Sequence, residues 1–101
     1  MNAATGKLAG RIAVITGASR GIGAATAKIF AAEGAHVILV ARTQGGLEEI
    51  DDEIRSAGGT ASLVPMDLTD YGKIDEMGAT IFERYGKLDI LIASAGLLGT
   101  M

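Results

Sequence analysis

The sequence predicts a doubly wound α/β fold: a parallel sheet of strand order 3-2-1-4 with three crossover helices and no strand after the fourth. Three observations carry that expectation. Short apolar runs alternate with segments of helical period, the pattern of βαβ units. The first run, Ile12-Ala13-Val14-Ile15, enters the glycine-rich turn Thr16-Gly17-Ala18-Ser19-Arg20-Gly21-Ile22-Gly23 and then a helical stretch. The composition is 49% hydrophobic with 15 glycines and only 4% aromatic residues, as suits strands buried on both faces.

Taken in order, the first strand covers residues 12–15 and a helix follows over residues 21–32. Ile22, Ala25 and Ile29 fall three and four apart in it and are expected to form its buried stripe. Gly34 suits the left-handed residue that ends it. The second strand spans residues 36–40. The second helix spans residues 46–56, with Leu47, Ile50 and Ile54 inward and Glu48, Glu49, Asp51, Asp52 and Glu53 mostly outward; Gly58-Gly59 stops it. The third strand, residues 61–64, runs into Pro65. Asp70 is a capping residue for a helix reaching Tyr85, with Ile74, Met77 and Ile81 facing the core. Gly86 ends that helix, and residues 88–93 form the fourth strand.

The chain of 101 residues is one domain at most. A formal net charge of −3 gives no electrostatic footprint for nucleic acid or an anionic membrane. The absence of cysteine excludes disulfides, zinc–thiolate sites and thiol catalysis, and no metal site is expected. No apolar run has the length of a membrane span, and the start lacks a signal peptide's layout, so a cytoplasmic protein is expected.

The chemistry-bearing residues gather at the carboxyl ends of the strands. Gly17 permits a tight turn after the first strand, while Gly21 and Gly23 let a pyrophosphate approach the backbone and the helix pack close to the sheet. The helix start adds unpaired N–H groups and the positive end of its dipole. The spacing is G-x-x-x-G-x-G; the commoner G-x-G-x-x-G fails, because Thr26 stands at its third position. At the end of the second strand an NAD site usually places a carboxylate on the ribose 2′-hydroxyl. Here the strand ends Val40-Ala41-Arg42, with no acid within two residues. Arg42 and Arg20 suit a 2′-phosphate through paired N–H donors, which favours NADP over NAD; each also reads as an ordinary solvated arginine. Asp67 fits an acceptor for the adenine amino group, with the Leu68 N–H on a ring nitrogen, and read alone it is a turn or cap residue. Ala95-Gly96, after the fourth strand, is small enough for backbone to approach a ribose.

These residues, in their order and spacing, resemble the short-chain dehydrogenase/reductase family: Thr16 to Gly23, Glu33-Gly34-Ala35, Arg42, Asp67-Leu68, Leu88-Asp89-Ile90-Leu91 and Ala95-Gly96. The resemblance covers nearly the whole chain. It implies an oxidoreductase moving hydride between NADP(H) and a carbonyl or alcohol. It also implies cofactor contacts from Gly17, Ser19, Arg20, Gly21, Ile22, Gly23, Arg42, Asp67, Leu68, Ala95 and Gly96. Ser94 stands where the family usually has an asparagine that braces the sheet. The family's catalytic Asn, Ser and Tyr-x-x-x-Lys lie beyond the fourth strand. Tyr71 and Tyr85 are followed four residues on by Asp75 and Asp89, so no catalytic residue is assigned.

Residues 1–101 are therefore expected to be the N-terminal part of a dinucleotide-binding domain, catalytically silent alone. Two rival expectations stay open. One is a non-catalytic NADP-binding module. The other is an interaction fragment whose strand 4 edge pairs with a partner, either a second copy or a missing C-terminal half.

Overall fold

All five residues of β1 (Ile12–Thr16) are buried, which makes this strand the centre of the molecule. The computed structural model describes residues 6–18, 21–42, 44–66 and 71–93. In chain order β1 is followed by α1 (Gly21–Ala32), β2 (His36–Ala41), α2 (Gln44–Ser56), β3 (Thr60–Pro65), α3 (Tyr71–Tyr85) and β4 (Ile90–Ala93). The sheet has the order β3-β2-β1-β4, and every pairing is parallel. The expected fold is the observed one.

Side chains alternate across the strands and so split the core into two layers. On one face Ala13, Ile15, Val37, Leu39 and Ala61 meet Ala24, Ala27 and Ala31 of α1 and Leu47, Ile50 and Ile54 of α2. On the other Ile12, Val14, Ile38 and Val40 meet Ile81 of α3, with Met77 and Tyr85 partly buried beside it. Two crossovers thus lie on one face and the third on the other, as right-handed connections require when strand order reverses at β1. Ile74, expected to share the α3 core face, lies outside the described side chains.

Helix ends follow the glycines. Gly34, with φ 100°, closes α1: its N–H donates to the Ala31 carbonyl at 3.1 Å and the next, from Ala35, to Phe30 at 3.1 Å. Gly58, φ 91°, closes α2 in the same way through Arg55 and, from Gly59, Ile54. Both are Schellman caps, in which the left-handed residue turns two amides back onto orphan carbonyls. Gly86, φ 76°, ends α3 with one bond to Phe82.

One expectation fails. The buried face of α1 is Gly23, Ala24, Ala27 and Ala31, while Ala25 is exposed and Ile22 and Ile29 are 78% and 62% exposed. Ala24, Ala27 and Ala31 each stand two residues beyond Ile22, Ala25 and Ile29, about 200° of rotation, so the buried stripe lies on nearly the opposite side of the helix. The glycine turn brings the start of α1 close against β1, and only small side chains fit between helix and sheet at that separation. Some boundaries also move. The second helix starts two residues early at Gln44, and β3 runs from Thr60 to Pro65. Strand β4 starts at Ile90 rather than at 88, because the Asp89 carboxylate takes the Ile12 N–H at 2.8 Å in place of a strand partner.

Candidate functional site

The carboxyl ends of β1, β2 and β4 sit level with one another. Thr16 pairs with Val40 on one side and Ala93 on the other, and its hydroxyl donates to the Ile92 carbonyl at 3.4 Å. Because the crossover that leaves β1 packs on one face and the crossover that enters β4 packs on the other, this is the switch point where an open α/β sheet presents a ligand crevice.

The chain leaves β1 through Gly17, φ 63°, and enters α1 through Gly21, also φ 63°. Both take the left-handed conformation that a side chain resists, which explains glycine at these two positions. Between them the Ala18 N–H donates to the Val40 carbonyl at 3.2 Å, and Ala18 is fully buried. The loop is therefore strapped to the end of β2. A Cβ at Gly21 would meet nothing within 4 Å, so the backbone there stands open to a ligand. Gly23 is buried against the sheet, the close-packing role expected of the last glycine, and Ile22 projects outward. The α1 helix opens without an acidic residue in its first turn, and the positive end of a helix dipole favours an anion.

Across the crevice Arg42 directly follows β2 and is exposed, and the Met66 N–H donates to the Ala41 carbonyl at 2.9 Å, which sets the end of β3 beside it. The structure thus brings Gly17, Gly21, Ile22, Gly23 and Arg42 to one end of the sheet. Ser19, Arg20, Asp67, Leu68, Ala95 and Gly96 lie outside the described residues, as does Ser94.

A groove of about 490 Å³ between α1 and α2 touches this end at Gly21. Glu49, Asp52 and Glu53 line it, and its one cation, Lys28, is paired with Glu53 at 2.8 Å. Carboxylates repel phosphate, so the groove is not the anion-binding part of the crevice. No group of three metal-binding side chains occurs among the described residues, and no helix among them is long and apolar enough to cross a membrane.

Sequence reasoning missed how the opposite end of the sheet is held. Asp89 accepts from the Ile12 N–H and lies 3.5 Å from both Arg11 and Lys87. That backbone hydrogen bond, with help from Lys87 and Arg11, holds its carboxyl below the usual range. Glu33 accepts from the Lys7 N–H with its side chain and from the Leu8 N–H with its carbonyl. Both acids stand inside segments that carry the family resemblance, yet nothing in their spacing announces these contacts.

A glycine turn of this conformation at the switch point of a parallel sheet defines the class: α/β proteins that bind nucleotides across the carboxyl ends of their strands. The sequence places the chain more narrowly. A sequence model of the short chain dehydrogenase family matches residues 11–101, and the chain belongs to that family. It is 52% identical over 87 residues to a fatty acyl-CoA reductase of Acinetobacter baylyi, covering 86% of this chain and 30% of that protein. It is 40% identical over 89 residues to the 2,3-dihydro-2,3-dihydroxybenzoate dehydrogenase of Bacillus subtilis, covering 88% of this chain and 34% of that one. Among solved structures, a metagenomic short-chain oxidoreductase in complex with NADP superposes with a TM-score of 0.86 at 39% identity, over 93% of this chain and 45% of that one. The 3-oxoacyl (acyl-carrier-protein) reductase of Agrobacterium tumefaciens C58, with NADP bound, gives 0.80 at 39% identity, over 89% and 34%. The chain spans about a third of the length of these two curated relatives.

Proposed function

We propose that this chain is the N-terminal, cofactor-binding part of a short-chain dehydrogenase/reductase domain and that its nucleotide is NADP. The observation that carries the reading is the pair of left-handed glycines, Gly17 and Gly21, at the end of β1, with open space at Gly21 and the exposed Arg42 across the crevice. Gly17, Gly21 and Gly23 with the start of α1 cradle the pyrophosphate, and Ile22 stands at the mouth. Arg42, with Arg20, takes the 2′-phosphate in the place where an NAD site holds a carboxylate. By the family resemblance Ser19 joins the loop's cofactor contacts, Asp67 and Leu68 take the adenine, and the small pair Ala95-Gly96 lets backbone approach the ribose. The NADP bound to two structural relatives supports the nucleotide, and the relatives' names support an oxidoreductase of carbonyl and alcohol groups. When bound, the nicotinamide supplies hydride; the described residues of this chain bind and orient the adenosine half.

Calorimetry with NADP and NAD tests the proposal. NADP is expected to bind more tightly than NAD. Arg42→Ala should weaken NADP by about ten- to hundredfold, the loss of one charge-assisted hydrogen bond, and leave NAD nearly unchanged. Equal affinity for the two nucleotides, or an Arg42→Ala variant with wild-type NADP affinity, would remove the basis for the nucleotide assignment.

A further inference from the structure

Away from the crevice, at the amino ends of β2 and β3, four polar side chains from three elements close on one another. The imidazole of His36 lies with Nδ1 2.8 Å from Thr60 Oγ1 and Nε2 2.9 Å from Ser62 Oγ. The Tyr85 phenolic oxygen, from the last residue of α3, is 3.2 Å from Nε2 and 3.0 Å from Ser62 Oγ. The His36 and Tyr85 rings also touch, with centroids 5.2 Å apart. This cluster faces the α3 layer, because His36 pairs with Ile12 in the sheet and Ile12 belongs to that layer.

The cluster matters because it is one of few attachments of α3 among the described side chains. The described contacts of α3 with the core run through Met77, Ile81 and Tyr85, spaced four apart, and only Ile81 is fully buried. Phe82 on the same helix is 64% exposed. The carboxyl-terminal turn of α3 therefore depends on Tyr85, and Tyr85 on a hydroxyl network centred on an imidazole.

We propose that His36 is a proton-operated latch for α3: the neutral imidazole holds Tyr85 and the last turn of the helix on the sheet, and protonation releases them. A neutral ring donates from Nδ1 to Thr60 and accepts at Nε2 from Ser62, which in turn accepts from the Tyr85 hydroxyl, so every member is satisfied. Protonation turns Nε2 into a donor and removes the acceptor that ends the chain, leaving one of the two hydroxyl protons, that of Ser62 or that of Tyr85, without an acceptor inside the cluster. It also places a cation among groups that offer it no counter-charge. From β3 the imidazole is faced by Thr60 and Ser62, from β1 by Ile12, and from α3 by Tyr85 and Arg84; Arg55, on α2 across the sheet and already paired with Asp51 at 2.8 Å, adds positive charge from the far side. Partial burial, and then Arg55 and Arg84, press the imidazole toward its neutral form, below its ordinary value of 6.5. The sign follows from that direction. With the folded value depressed, released α3 binds the proton better than docked α3, so the latch is fully closed above about pH 6.5 and opens as pH falls toward the folded value.

His36 is the one histidine of the chain, so its imidazole proton titrates alone in an NMR spectrum. The expected midpoint lies below 6.5. Amides of residues 77–85 should lose exchange protection with falling pH, by up to about tenfold per pH unit between the two midpoints after correction for intrinsic rates. Amides of β1 and β2 should keep theirs. His36→Gln, neutral at every pH, is expected to abolish that step in α3. Should that variant not fold, Arg84→Gln, at an exposed position, removes one repelling charge and is expected to raise the midpoint of both signals. A midpoint at or above 6.5, a step that persists in His36→Gln, an unmoved midpoint in Arg84→Gln, or protection lost evenly across sheet and helix would each overturn the latch.

Discussion

Gly6 shows how one missing side chain fixes the route into the sheet. A Cβ there would fall on the backbone of Glu33, so only glycine lets the leading segment lie against the turn between α1 and β2. The next two amides exploit that approach: Lys7 donates to the Glu33 carboxylate at 3.0 Å and Leu8 to the Glu33 carbonyl at 2.7 Å. Gly10 makes the contrast, since a Cβ there would meet nothing within 4 Å and only its φ of 82° argues for glycine. Gly6→Ala must push backbone away from backbone, which costs about 1–3 kcal/mol, the range of overpacking. Urea denaturation of the two proteins measures it, and an unchanged midpoint would mean that the leading segment does not hold this path in solution. Gly6 carries no turn dipeptide and no periodic neighbours, so its role is visible only once Glu33 is placed in space.

At the scale of elements, what could be read from sequence was whatever a short window decides. Strand runs, the αL glycines at Gly34, Gly58 and Gly86, and the stripe Leu47, Ile50 and Ile54 depend on local pattern, and the structure has them as expected. The face of α1 does not depend on local pattern. Its helix carries two competing stripes, one with Ile22 and Ile29 and one with Gly23, Ala24, Ala27 and Ala31, and hydrophobicity alone favours the isoleucines. Helix-to-sheet distance, set by the glycine turn, selects the small residues instead. The candidate site divides in the same way: the tight turn at Gly17 was legible because conformation belongs to the residue itself, and the proposed roles of Gly21 and Arg42 rest on the same local properties, conformation and charge. The His36 cluster was not legible, since Thr60, Ser62 and Tyr85 meet it only through the fold. The choice of face can be tested by size. Ala27 is fully buried, and Ala27→Leu should cost about 1–3 kcal/mol by forcing α1 off the sheet. Ile29→Gln, on the exposed face, should stay within about 0.5 kcal/mol of wild type. Thermal melts of the pair decide the matter, and a larger loss from Ile29→Gln would restore the isoleucine face to the core.

Over the whole molecule the apolar surface is unevenly covered. The interior strands β1 and β2 are sheltered on both faces, whereas β4 pairs only with β1 among the described residues and Leu91 on it is 60% exposed. Leu91 pairs with Val14, so it points to the α3 side, where Phe82 is also uncovered at 64%. On the other side of the sheet Ile29 is 62% exposed, so apolar groups stand open on both faces. Among the described residues the far edge of β4 has no strand partner, and such an apolar edge is a template for pairing with another strand. The chain is therefore expected to self-associate with rising concentration, which light scattering after size exclusion reads directly. Leu91→Lys places a charge on that edge and should weaken association at least about tenfold, the effect of roughly 1.4 kcal/mol, without lowering the melting temperature of the monomer. Two results would count against the edge. If wild type stays monomeric throughout, β4 is no docking surface for a second copy. If Leu91→Lys associates as strongly as wild type while Ile29→Gln does not, the contact lies on the α1 face instead.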